Sequence, residues 1–124
     1  ICFDVLEHVP STSNALKEIY RLLKDGGCFV SSVPLPFGHL SPVEASIDQQ
    51  SNPSTLKQIF GISDHLRMFG SDYELILQRY FADVKQISSC SFTSTLQRKH
   101  LLTCNTEFMK PLATRDRRIF FAFK

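Results

Sequence analysis

Residues 1–34, ICFDVLEHVPSTSNALKEIYRLLKDGGCFVSSVP, decide the fold. Residues 1–6 are a short apolar run with a single Asp4, the pattern of a strand buried on both faces. Ser11, Thr12 and Ser13 are candidate helix N-caps, since a short side-chain oxygen can accept from the free N–H groups of the first turn. Ala15, Leu16, Ile19, Tyr20, Leu22 and Leu23 follow at helical spacing, with Lys17, Glu18, Arg21 and Lys24 on the other face. Gly26-Gly27 is expected to stop this helix through a left-handed cap. CFVSSVP then reads as a second strand ended by Pro34. Strand, helix and strand in this order make a βαβ unit, the seed of a parallel sheet.

Downstream, residues 34–55 collect four prolines and many serines and predict a long loop or lid, with short helical pieces around Val43–Ile47 and Leu56–Phe60. SDYELILQRYF (71–81) predicts a helix, with Ser71 and Glu74 at capping-box spacing and Leu75, Ile76 and Tyr80 on one face. DVKQISSCSF predicts a third strand and RRIFFAFK a fourth, while residues 93–117 between them stay ambiguous.

Composition narrows the class. With 43% hydrophobic and 21% charged residues in a 124-residue chain, a single small globular domain is expected and disorder is not. A formal charge of +2 is too small to steer the whole surface toward nucleic acid or membrane. No apolar run approaches the ~20 residues of a membrane span, and the expectation is a soluble, cytoplasmic protein. Cys2, Cys28, Cys90 and Cys104 form no C-x-x-C pair, which fits reduced thiols. His8, His39, His65 and His100 are as dispersed as the cysteines, so structural zinc is disfavoured and no metal ligand is assigned.

Taken together, FDVLEHVP, ALKEIYRLLKDGG, CFVSSVP and DHLRMFGSDYELILQRYFADV resemble the second half of class I S-adenosylmethionine-dependent methyltransferases, to about residue 90. RIFFAFK suits the last strand of that fold. The resemblance implies an α/β fold: a partial Rossmann-like sheet made of strands four to seven, with flanking helices and the last strand inserted antiparallel between the fifth and sixth. It also implies that residues 1–124 are the C-terminal part of one methyltransferase domain. The family's glycine-rich turn has no counterpart among Gly26, Gly27, Gly38, Gly61 and Gly70, none of which forms a G-x-G pattern. The cofactor-binding N-terminal half is therefore expected to be missing, and a partner chain or that missing half is needed to complete the sheet.

The implied cofactor is S-adenosyl-L-methionine and the implied partner a small-molecule acceptor. Ligands of open α/β sheets bind at the carboxyl ends of strands. Asp4, Val5, Leu6 and His8 are the candidate cofactor contacts and Glu7 and His8 the candidate catalytic pair; the plainer reading of that pair is strand-end packing. Phe37, His39, His65 and Arg67 are candidate substrate contacts. For Arg67 a structural ion pair with Asp64 or Asp72 competes with that role. Basic clusters at Lys99-His100 and at Arg115, Arg117 and Arg118 read as a solvated face or an RNA-binding edge. Against the enzyme stands a non-catalytic half-domain that pairs through an open sheet edge.

Overall fold

The computed structural model describes residues 1–35, 42–100 and 118–124. In chain order these form β1 (Cys2–Phe3), α1 (Thr12–Leu22), β2 (Cys28–Ser32), β3 (Val43–Glu44), α2 (Ile47–Gln50), α3 (Pro53–Phe60), β4 (Arg67–Met68), α4 (Tyr73–Gln78), β5 (Asp83–Ser88), α5 (Ser94–Lys99) and β6 (Arg118–Phe123). A short 3-10 turn, Ser89–Ser91, lies between β5 and α5.

The main sheet has the order β1-β2-β6-β5. β1 runs parallel to β2, with Cys2 opposite Ser31, and β6 lies antiparallel to both β2 and β5. The last strand is thus inserted antiparallel between its neighbours, as expected. A separate two-stranded ribbon pairs β3 with β4.

Alternation along β2 and β6 selects the face that is covered. Phe29 pairs with Ala122 and Ser31 with Phe120, and all four are buried. Leu16 of α1, Tyr73 and Leu77 of α4, and Leu6, Val33, Phe69 and Phe81 complete this core. Tyr73 sits at its centre: its ring meets Phe69 and Phe120 edge-on at 5.0 and 4.9 Å, and its hydroxyl donates to the Ser31 Oγ at 3.0 Å. Burial pushes the Tyr73 phenol far above its ordinary range, so it remains a neutral donor. A smaller cluster of Ala45, Leu56 and Phe60 packs beneath the ribbon with Leu66 and Met68.

Several local expectations are corrected. β1 is not a six-residue strand buried on both faces: it ends at Phe3, and Phe3 and Val5 are exposed. Asp4 turns the chain out of the sheet with a left-handed φ of 53°, which Asp tolerates better than a bulky residue would. The first helix ends at Leu22 with an extended cap at Leu23, before the glycines are reached. Gly26 serves the following turn instead, at φ 72°, and a Cβ on Gly27 would lie 2.7 Å from the Lys24 carbonyl oxygen. Val43 and Glu44 form a strand because β4 offers a partner, and helix begins only at Ile47. Residues Leu56–Phe60 do lie in a helix, α3, whose Asn52 cap accepts from the Ser54 and Thr55 amides. The capping box of Ser71 and Glu74 does not form: Asp72 is the cap residue of α4 and accepts from the Gly70 amide. Leu75 points to solvent, while Tyr73 and Leu77 carry the burial.

Candidate active site

After β1 the chain makes a tight turn, closed by a hydrogen bond from the His8 amide to the Val5 carbonyl at 3.0 Å. Glu7 and His8 therefore stand in the turn beyond the strand rather than at its last residues. Two devices hold this turn against the ribbon. The Leu66 amide donates to the Glu7 carbonyl at 2.9 Å, and the Leu66 carbonyl accepts from the Ala45 amide at 2.9 Å. Beside it, the Arg67 guanidinium is 5% exposed and donates to the carbonyls of Leu6, Val9 and Pro10 and, from two nitrogens, to Glu44 Oε1.

All five guanidinium N–H groups are thereby used. Arg67 is a staple of the 6–10 turn, and its ion pair is with Glu44 rather than Asp64 or Asp72. A substrate anion would have to displace these partners.

His8, half-buried, is oriented from its other side. Its Nδ1 lies 2.9 Å from the Asp64 carbonyl oxygen. A carbonyl can only accept, so Nδ1 carries a proton, and in the neutral ring Nε2 is the atom with the lone pair. The Asp64 Oδ2 lies 3.7 Å from the same nitrogen. Nε2 faces Glu7 Oε1 at 3.8 Å, and the His65 ring meets the His8 ring edge-on with centroids 4.7 Å apart.

Glu7 is the least ordinary residue of the chain. It is 1% exposed, and among the described residues neither carboxylate oxygen has a hydrogen-bond partner. Burial pushes its carboxyl above the usual carboxylate range. Burial, then the neighbouring His8, holds His65 below the usual imidazole range, so its ring is neutral at neutral pH. One ligand-type atom from each of Glu7, His8 and His65 lies within 4.8 Å of the other two. Dispersion along the chain is thus no guide here: two of the four histidines meet one carboxylate in space.

An unsatisfied buried carboxylate costs stability. Replacing Glu7 by Leu is expected to stabilise the metal-free protein by about 1–3 kcal/mol, read from urea unfolding in the presence of a chelator. A loss of stability instead would mean that the carboxylate has partners.

Among the other candidates, Asp4 is exposed and accepts from the Ser32 hydroxyl at 3.3 Å, and Val5 is exposed beside it. The Leu6 side chain belongs to the core and offers a site only its backbone. Phe37, His39, Arg115 and Arg117 lie outside the described residues. A separate groove lined by Thr12, Ser13, Glu44, Arg67, Arg79 and Tyr80 includes none of the Asp4–His8 residues. The role of Glu44 was not legible in the sequence, because a carboxylate on an exposed strand carries no sign of its partner.

A family model described as a methyltransferase domain matches residues 1–85. The chain belongs to this methyltransferase family. The match spans β1 through the start of β5, so it contains the turn, the Arg67 staple and the Glu7, His8 and His65 cluster. No match to the chain was found among curated proteins or solved structures. Among the described residues no helix is long and apolar enough to cross a membrane.

Proposed function

We propose that this methyltransferase chain contributes the acceptor-activating side of a site for S-adenosylmethionine-dependent methyl transfer to a small molecule. The observation that carries the reading is the position of His8 Nε2. It is held by the Nδ1–Asp64 hydrogen bond at the carboxyl-end turn of β1, where ligands of open α/β sheets bind. When bound, S-adenosylmethionine supplies a methyl group on a positively charged sulfur with a good leaving group. The protein is then asked mainly for proximity and for a base at the acceptor. Two features of the chain fit that cofactor. The exposed Asp4 carboxylate suits an ammonium group, and the exposed Val5 suits an alkyl stem. The chain has no G-x-G turn, and the 124 residues alone are proposed to hold only part of the cofactor's surroundings.

The test is S-adenosylhomocysteine binding and methyl transfer by the protein as its host produces it. Tight binding is expected there, and its absence would overturn the reading. In that protein His8→Ala is expected to lower kcat by roughly 10²-fold, the usual scale for a lost general base. Because His8 is half-buried and makes one side-chain hydrogen bond, unfolding stability should change by only about 1 kcal/mol. An unchanged kcat would remove His8 from the chemistry.

A second reading has its own observation. Among the described residues β1 pairs only with β2, and Ile1, Phe3 and Val5 are exposed at that edge. A non-catalytic module that completes its sheet with another chain would use this edge. It predicts sheet pairing without any binding of S-adenosylhomocysteine.

A further inference from the structure

We infer that Glu7, His8 and His65 form a binding site for one divalent first-row transition-metal ion. Three observations carry this, and they are independent of one another. First, Glu7 buries both carboxylate oxygens with no hydrogen-bond partner among the described residues, an arrangement that a cation would satisfy. Second, His8 commits Nδ1–H to a backbone carbonyl, which aims the unprotonated Nε2 at Glu7 Oε1. With Nε2 unprotonated and Glu7 ionised, the two face each other as electron-pair donors 3.8 Å apart, a pair that a cation between them would join. Histidine ligands of metals characteristically donate their second N–H to a carbonyl or carboxylate in this way. Third, the 9%-exposed His65 brings a second imidazole to the same point, and no hydrogen bond to it is seen among the described residues.

The donor set selects the ion. Two imidazoles and one carboxylate are a combination that suits zinc and other first-row divalent ions, whereas magnesium prefers oxygen ligands and its own water. The ligand atoms are within 4.8 Å of one another, and tetrahedral bonds of about 2.1 Å require separations of roughly 3.4 Å. Closure therefore takes side-chain adjustments of about an ångström, within reach of rotation about the Glu7 and His65 side chains. His8 is half-buried and the other two ligands are buried, so an ion here is open to solvent on the His8 side alone. Three protein ligands leave a coordination position for an oxygen or nitrogen of an incoming molecule.

This deepens the proposed function. With an ion bound, Nε2 would be a ligand instead of the base, and the ion would supply the lowering of a coordinated acceptor's pKa; without it, Nε2 remains the proposed base. Metal binding is nevertheless testable without any methyl transfer, so the two readings can fail separately.

The experiment is calorimetric titration of the protein as its host produces it with Zn2+ and, separately, Mg2+, alongside Co2+ absorption spectra. One Zn2+ per chain is expected, with no heat from Mg2+ at equal concentration. Glu7→Gln and His65→Gln should each weaken Zn2+ binding at least about 10-fold, with circular dichroism unchanged, while His100→Gln leaves it intact. In the wild-type protein, 15N-histidine NMR should show Zn2+ shifting the Nε2 resonance of His8 and a ring nitrogen of His65, a readout that needs no variant to fold. Absence of stoichiometric Zn2+ binding would overturn the site. So would wild-type affinity in His65→Gln, or a sulfur charge-transfer band with Co2+, which would place the ion at Cys2, Cys28 or another thiol.

Discussion

Replacing Arg67 with alanine is expected to destabilise the protein by about 3–4 kcal/mol, among the largest losses available to a single side chain here. The reason lies in what the guanidinium holds. It donates to the carbonyls of Leu6, Val9 and Pro10 from a position 5% exposed, and the alanine variant would leave these acceptors without a donor. Its pairing with Glu44 contributes less, because that carboxylate is largely exposed and water competes for it. Glu44→Ala should therefore cost under about 1 kcal/mol. Arg67→Lys should recover only part of the loss, since an ammonium cannot span carbonyls that a planar fork reaches together. Urea unfolding of the three variants provides the comparison. An alanine variant within about 1 kcal/mol of wild type would show that the turn holds itself. The same variant should release the His8 ring, visible as loss of the protected Nδ1 proton in NMR spectra, because the 6–10 turn is what sets it against Asp64.

Tyr73→Ala is the second large effect, about 3–5 kcal/mol, on the scale of an aromatic deleted from a packed core. Tyr73 is fully buried between Phe69 and Phe120, and it joins α4 to the central strand β6. Tyr73→Phe separates the ring from the hydroxyl. It keeps the edge-on contacts and strands only the Ser31 hydroxyl, so about 1 kcal/mol is expected. If the phenylalanine variant lost as much as the alanine one, the hydrogen bond and not the packing would be holding the helix to the sheet.

These two residues also separate what is legible in the chain from what is not. α1, β2, β5 and β6 follow from local periodicity: an amphipathic run behind Ser11 and alternating or apolar stretches at CFVSS, DVKQIS and RIFFAF. Such patterns reveal a buried face because burial acts on every second or every third to fourth residue. The resemblance carried by FDVLEHVP and its followers led to the methyltransferase family, which the match over residues 1–85 bears out. Local rules misled where a tertiary partner was stronger. Val43 and Glu44 became a strand because Arg67 and Met68 run alongside them, and Ser71 yielded the cap position to Asp72.

The sequence by itself determined the α/β class through short-range pattern and the family through recognisable motifs, and the resemblance those motifs carry implied the antiparallel last strand. Only the tertiary structure decided the site. Arg67 meets its three carbonyls across about sixty residues of chain, and backbone acceptors leave no mark in a sequence. The contact between His8 and the Asp64–His65 segment spans a similar distance. Whether a glutamate and two histidines are scattered surface groups or one cluster depends on where the chain returns, and the packing of the ribbon against the β1 turn sets that return.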